Sequence, residues 1–194
     1  MQNLAEFMVI GITGTIGAGK DTLMELLKNE YGFKHYSVRQ YLIELLEESG
    51  TEVNRLSMTN LANDLREEHG PAYIIEQLFN KAKQEGGNAV IESIRTPGEV
   101  EFLKEASDFY LFAVDADPNL RYERVQERKS VTDRVDFNTF MAEEQREMSN
   151  EEPHMQNIAA CVRVADYRFR NNASIEMLYK RVRKTMEQIG IKVS

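Results

Sequence analysis

Gly14-Thr15-Ile16-Gly17-Ala18-Gly19-Lys20-Asp21-Thr22 is the stretch from which the fold follows. A glycine, four residues and then Gly-Lys is the spacing of a phosphate-binding loop, with Asp21 standing where Ser or Thr is usual. Just before it, Met8 to Ile12 form a short apolar, partly β-branched run. Just after it, Thr22 to Leu27 place apolar side chains at helical spacing. In that strand-loop-helix setting the N–H groups of a tight loop and the positive end of a helix converge on anionic oxygens. Glycine permits the positive φ angles such a loop needs. Gly14, Thr15, Gly17, Ala18 and Gly19 are therefore expected to cradle the phosphates of ATP, with Lys20 reaching the β- and γ-phosphates. Thr22 is expected to offer its hydroxyl to phosphate or to the shell of Mg2+. A carboxylate beside the γ-phosphate is repulsive unless a metal lies between them or the acid faces an acceptor hydroxyl as a base, and Asp21 is expected to fill one of these roles. The Gly-x-Gly-x-x-Gly spacing of a dinucleotide site is absent before the helix.

Outward from the loop, strand and helix signals alternate. Phe33 to Val38 is a weaker strand signal, and Gln40 to Glu48 an amphipathic helix ended by Gly50. A helix from Thr59 to His69 stops at Gly70, and the next is expected to start at Pro71 and carry Tyr73, Ile74, Leu78 and Phe79. Asn88 to Ile91 and the nearly all-apolar Phe109 to Val114 read as strands, the second as one buried on both faces of a parallel sheet. Asp117-Pro118 opens another helix. Lys129 to Asn157 is charged and Met-rich, with Phe137, Phe140 and Met141 marking one helix face, and is expected to be an exposed insertion. Tyr167 to Arg170 is a last strand, and Ser174 caps a terminal helix carrying Ile175, Leu178, Val182 and Met186. Five strands alternating with helices predict an α/β P-loop NTPase fold, a five-stranded parallel sheet with helices on both faces, in a single domain over 1–194.

Composition excludes several functions. With 42% hydrophobic and 29% charged residues in 194, the chain is globular rather than disordered. Its 24 basic and 32 acidic residues give a net charge of -8, which opposes sequence-independent binding to a polynucleotide. The longest apolar run, around Phe7 to Ile12, is too short for a membrane span, and no secretory or import signal is readable, so a cytoplasmic address is expected. One cysteine and three scattered histidines leave neither an internal disulfide nor a structural zinc site.

Two segments carry a resemblance. Ile10 to Lys20, together with Ala165-Asp166-Tyr167-Arg168-Phe169-Arg170-Asn171-Asn172-Ala173-Ser174, is similar to the dephospho-CoA kinase and adenylate kinase group of P-loop kinases. Gly19-Lys20-Asp21-Thr22 resembles the variant found in deoxynucleoside monophosphate kinases and phosphomevalonate kinases. Dephospho-CoA kinases carry Asp-x-Asp after the second strand, where this chain has His35-Tyr36-Ser37-Val38-Arg39-Gln40.

The resemblance implies a nucleoside monophosphate kinase-like fold with an acceptor-binding helical region at about 38–87 and a helical lid insertion at about 129–157. It implies transfer of the γ-phosphoryl group of ATP, with Mg2+, to a small phosphorylated acceptor, most simply a nucleoside or deoxynucleoside monophosphate. Dephospho-CoA is the rival acceptor, and a non-catalytic ATP-binding regulatory protein is the alternative from another class. By the same resemblance Arg39 lies near the arginine that contacts the acceptor phosphate. In Ile91-Glu92-Ser93-Ile94-Arg95, Glu92 holds Mg2+ through water and Arg95 pairs with the acceptor phosphate. Arg128 and Arg134 are the cations of the lid, and Asn171 and Asn172 lie in the loop that packs against adenine.

Overall fold

A computed structural model describes residues 7–128 and 135–193. Five strands and nine helices follow in these residues: β1 (Met8–Thr13), α1 (Lys20–Tyr31), β2 (Lys34–Ser37), α2 (Val38–Glu48), α3 (Arg55–His69), α4 (Tyr73–Glu85), β3 (Ala89–Glu92), α5 (Pro97–Ala106), β4 (Asp108–Asp115), α6 (Pro118–Glu127), α7 (Phe137–Met148), α8 (Ile158–Arg163), β5 (Tyr167–Arg170) and α9 (Ile175–Gln188). The strands form one sheet of order β2-β3-β1-β4-β5, every pairing parallel. β1 is central, so the loop that follows it opens at the middle of the carboxyl edge, where ligands collect in such sheets. The register sets Ile12 beside Glu92 and Glu92 beside Ser37, which brings the end of β3 against the mouth of that loop.

Because side chains alternate along a strand, β1 feeds two cores. Val9 points to one side and packs with Ile91, Leu111 and the helical residues Leu42, Ile74 and Leu78. Ile10 and Ile12 point to the other and pack with Val90, Phe112, Leu23 and Leu27 of α1, and Leu178 and Val182 of α9. Each such side chain contributes about 1.5–3 kcal/mol on burial, so the two cores hold the loop's flanking elements firmly in place.

Capping explains where helix ends depart from the hydrophobic period. α3 starts at Arg55, ahead of Thr59, because Asn54 and Ser57 form a reciprocal capping box. α5, which the periodicity does not announce, is started by a second box between Thr96 and Glu99 with Pro97 in the first turn. Pro71 instead lies in a turn, and α4 begins at Tyr73. α7 departs from the exposed insertion expected there. Phe140 is fully buried and Glu144 nearly so, and the Phe137 and Phe140 rings pack on Tyr122 of α6 at 5.4 and 5.5 Å. The apolar residues of α7 are few but fall on one stripe, which suffices to dock it. Arg134 lies outside the described residues, as does the first part of the expected lid.

Candidate active site

The loop between β1 and α1 is built of backbone that only glycine tolerates. Gly14, Gly17 and Gly19 have φ of 137°, 75° and 102°. A Cβ on Gly14 would meet the Val114 carbonyl at 2.0 Å, and one on Gly17 the Arg121 carbonyl at 2.5 Å. Gly19 is the N-cap of α1 and offers no side chain to its first turn. The N–H groups there remain directed at the loop, which together with the helix dipole makes an anion site. Lys20 Nζ folds back on the carbonyls of Gly14 and Thr15 at 3.0 and 2.9 Å. Burial, with help from the neighbouring Arg95, pulls its pKa down to about 8 against the opposing charges of Glu92, Asp21 and Glu147. An entering polyanion would restore its charge.

Beside the loop lies a cleft of about 360 Å3. Its lining includes Gly17, Gly19, Lys20, Asp21 and Arg128 together with Arg39, Arg55, Glu92, Arg95, Glu147 and Gln156. Glu92 is 8% exposed, and two hydroxyls hold its carboxylate: Ser37 Oγ donates to Oε1 at 2.7 Å, and Ser93 Oγ donates to Oε2. Ser37 also caps α2 by accepting from the Gln40 N–H, so one hydroxyl ties the helix start to the carboxylate. Ser93 has φ of 66°, a left-handed conformation that costs a non-glycine residue about 1–3 kcal/mol and is typical of functional sites.

Asp21, exposed in the first turn of α1, pairs with Arg128 at 2.9 Å. Thr22 follows it in the same turn. Arg39 is exposed at the start of α2. Arg95 turns its Nη1 to Glu147 Oε2 at 2.7 Å and to Gln156 Oε1, while its backbone N–H is held by Glu99. Asn171 and Asn172 lie away from the cleft. The Asn171 side chain is buried beneath the loop and donates to the Ala18 carbonyl at 2.9 Å, and Asn172 accepts from the Asp117 N–H. The structure thus gathers Gly17, Gly19, Lys20, Asp21, Arg39, Glu92, Arg95 and Arg128 around one cavity, while Gly14, Thr15, Ala18 and Thr22 are not among the residues that line it.

Other residues of the site carry no local sequence signal. Arg121, 3% exposed, donates to the carbonyls of Ala116 and of Ile16 in the loop and pairs with Glu144 of α7. Arg124 reaches the carbonyls of Gly17 and Asn171. Both arginines project from α6 and brace the loop from behind. Arg55 pairs with Glu143 at 2.5 Å and with Glu147 at 2.9 Å, residues 88 and 92 positions away. No spacing rule anticipates such contacts. Among the described residues no group of three or more His, Cys, Asp and Glu side chains forms a metal cage, and no helix is long and apolar enough to cross a membrane.

A phosphate-binding loop at the carboxyl edge of a parallel sheet of this order defines a P-loop α/β protein. The chain matches the AAA domain family over residues 10–154 and belongs to it. A UPF0200 protein of Methanococcus maripaludis strain C6 is 29% identical over 162 residues, which span 82% of this chain and 85% of that protein. Among solved structures, TT1252 from Thermus thermophilus matches with a TM-score of 0.64 at 18% identity, over 95% of this chain and 98% of that one. A shikimate kinase from Bacteroides thetaiotaomicron matches with a TM-score of 0.57, also at 18% identity, over 93% and 98%. At these identities the likeness is one of fold.

Proposed function

We propose that the protein is an ATP-dependent phosphotransferase that moves the γ-phosphoryl group to a small phosphorylated acceptor, of the nucleoside or deoxynucleoside monophosphate class. The observation that carries this reading is that the cleft lined by Lys20 is also lined by Arg39, Arg55 and Arg95. A nucleotide-dependent switch needs a loop that senses the γ-phosphate but has no use for a second anion site facing it.

The chain's own groups suit transfer, in which catalysis is mostly positioning and charge stabilisation. The loop amides and the start of α1 hold the donor phosphates, and Lys20 offsets charge on the moving group. Arg128, at the cleft mouth, adds a second cation on exchanging Asp21 for phosphate. Glu92, fixed by Ser37 and Ser93, orients the acceptor, and takes its proton where the attacking oxygen is a hydroxyl or a protonated phosphate. Arg39 and Arg95 face the acceptor's own phosphate. Mg2+ typically keeps several waters and takes one or two carboxylates plus substrate phosphates, so it needs no protein cage, and Asp21, Thr22 and Glu92 supply oxygens of the right kind. Bound there, it would neutralise charge between the donor phosphates.

The test is ADP release with Mg-ATP across nucleoside and deoxynucleoside monophosphates, dephospho-CoA and phosphomevalonate. Stimulation by a monophosphate, with stoichiometric phosphorylated product, is the expected result. Hydrolysis that no acceptor stimulates would leave the switch standing in its place.

A further inference from the structure

Glu147 is placed as an anionic ligand would be. Its Oε1 accepts from Arg55 Nη2 at 2.9 Å and its Oε2 from Arg95 Nη1 at 2.7 Å, so one carboxylate bridges guanidiniums that reach it from α3 and from the segment between β3 and α5. The side chain is 13% exposed and lines the cleft. Burial pushes its carboxyl up, but Arg95 and Arg55 outweigh that and hold it below the usual carboxylate range. Glu147 also stands in the last turn of α7, the negative end of the helix dipole, where an acid is disfavoured. The arginines, not the helix, keep it there.

We propose that Arg55 and Arg95 form the binding site for the acceptor's phosphate, that Glu147 occupies this site in the empty protein, and that exchange with Glu147 selects phosphate monoesters over carboxylates. The inference rests on the kinase reading and adds Arg55 and Glu147 to it. A phosphate dianion brings the same pair of oxygens as Glu147, plus a third oxygen and a second negative charge, and so displaces it. A carboxylate ligand only equals what is already bound and gains nothing. Release of Glu147 needs only side-chain rotation into solvent, because α7 is anchored one turn earlier by the buried Glu144–Arg121 pair and two turns earlier by Phe140. Arg55 keeps Glu143 throughout, which holds its guanidinium in place for the incoming phosphate.

The experiment is calorimetric titration of the whole protein with inorganic phosphate and, separately, with acetate. Both titrations are run with and without saturating Mg-ADP, which blocks the P-loop. Wild type should bind phosphate in the presence of Mg-ADP and fail to bind acetate. Glu147→Gln removes the competitor's charge and should tighten phosphate binding by roughly tenfold, the order of one charge-assisted contact, and should make acetate binding measurable. Arg55→Ala should weaken phosphate binding by a similar factor while Mg-ADP affinity holds. A purely structural Glu147 predicts the reverse: Glu147→Gln would bind phosphate equally or less well, and that result overturns the proposal even if Mg-ADP binds. A protein that binds no Mg-ADP loses the kinase reading instead, while the titrations without nucleotide still decide the exchange. Thermal melts of both variants confirm that the comparison is made on folded protein, and Glu147→Asp, which keeps the charge, should stay near wild type.

Discussion

The loop of Gly14 to Thr22 offers an anion mainly backbone, while Arg55, Arg95, Glu147 and Gln156 bring to the cleft side chains drawn from four parts of the chain. Backbone N–H groups cannot titrate or turn away, so a loop of this kind is a fixed cradle for anions, and its chief adjustable group is the Lys20 ammonium. The arginine cluster consists of charges that neutralise one another, and on the proposed exchange they do so until a stronger anion arrives. A site of the first kind tolerates almost no substitution. One of the second kind can be retuned by a single side chain, which suits the part of an enzyme that chooses its acceptor.

The largest expected effect tests whether the two ends are mechanically joined. Arg121 touches the loop and its charge is met by Glu144 from α7, so Glu144→Ala strands a buried guanidinium and should destabilise the fold by about 3–5 kcal/mol in chemical denaturation. A loss below about 1 kcal/mol would show the ends to be independent. Next comes the loop itself: Lys20→Ala should lower turnover by roughly 10²–10³, as removal of one preorganised donor does elsewhere, and should weaken Mg-ATP binding. Asp21→Asn should reduce turnover far more than ATP affinity. If it retains full turnover across a magnesium titration, Asp21 does no more than favour the start of α1.

Smaller in scale is Ser37→Ala, which removes both the α2 cap and one hydroxyl on Glu92. It should cost about 1 kcal/mol of stability. Turnover should fall beyond what the lost stability accounts for, and unchanged steady-state kinetics would deny Glu92 a role in the chemistry. The finest probe is the proton on Lys20. At a pKa of about 8 it is half uncharged at pH 8 in the empty protein. Triphosphate binding should therefore take up about half a proton at pH 8 and much less at pH 7. Affinity should decline as pH rises through 8. Calorimetry in buffers of different ionisation enthalpy reads this directly, and zero uptake at pH 8 would place the lysine outside the anion site.

The same contrast explains what the sequence could reveal. The sheet and the loop were legible because strand burial, glycine placement and the strand-loop-helix order are all local patterns: β5 lies at Tyr167–Arg170 as read, and Gly14, Gly17 and Gly19 take the positive φ their position calls for. α5 went unread because its start is set by the Thr96–Glu99 box rather than by apolar spacing. In the arginine cluster of the cleft, the resemblance points to Arg39 and Arg95, which both line the cavity, and to neither Arg55 nor Glu147. Arg55 and Glu147 are ordinary members of charged helices until tertiary folding sets them face to face. Asn171 shows the opposite difficulty, since a segment recognised for one reason proves to hold the loop from beneath through its amide on Ala18.

That last contact bears on how the protein is made. The face of β1 that carries Ile10 and Ile12 is closed by Phe169, Leu178, Val182 and Met186, and the loop gains its brace from Asn171, all from the end of the chain. During synthesis the phosphate-binding loop emerges well ahead of these partners, Asn171 following Ala18 by 153 residues, and lacks them until then. Pairings so distant along the chain also fold slowly. Until those residues are made, the apolar side of the central strand has only the cover that α1 gives it, which leaves part of this segment to chaperones and makes loss of β5 and α9 a route to aggregation.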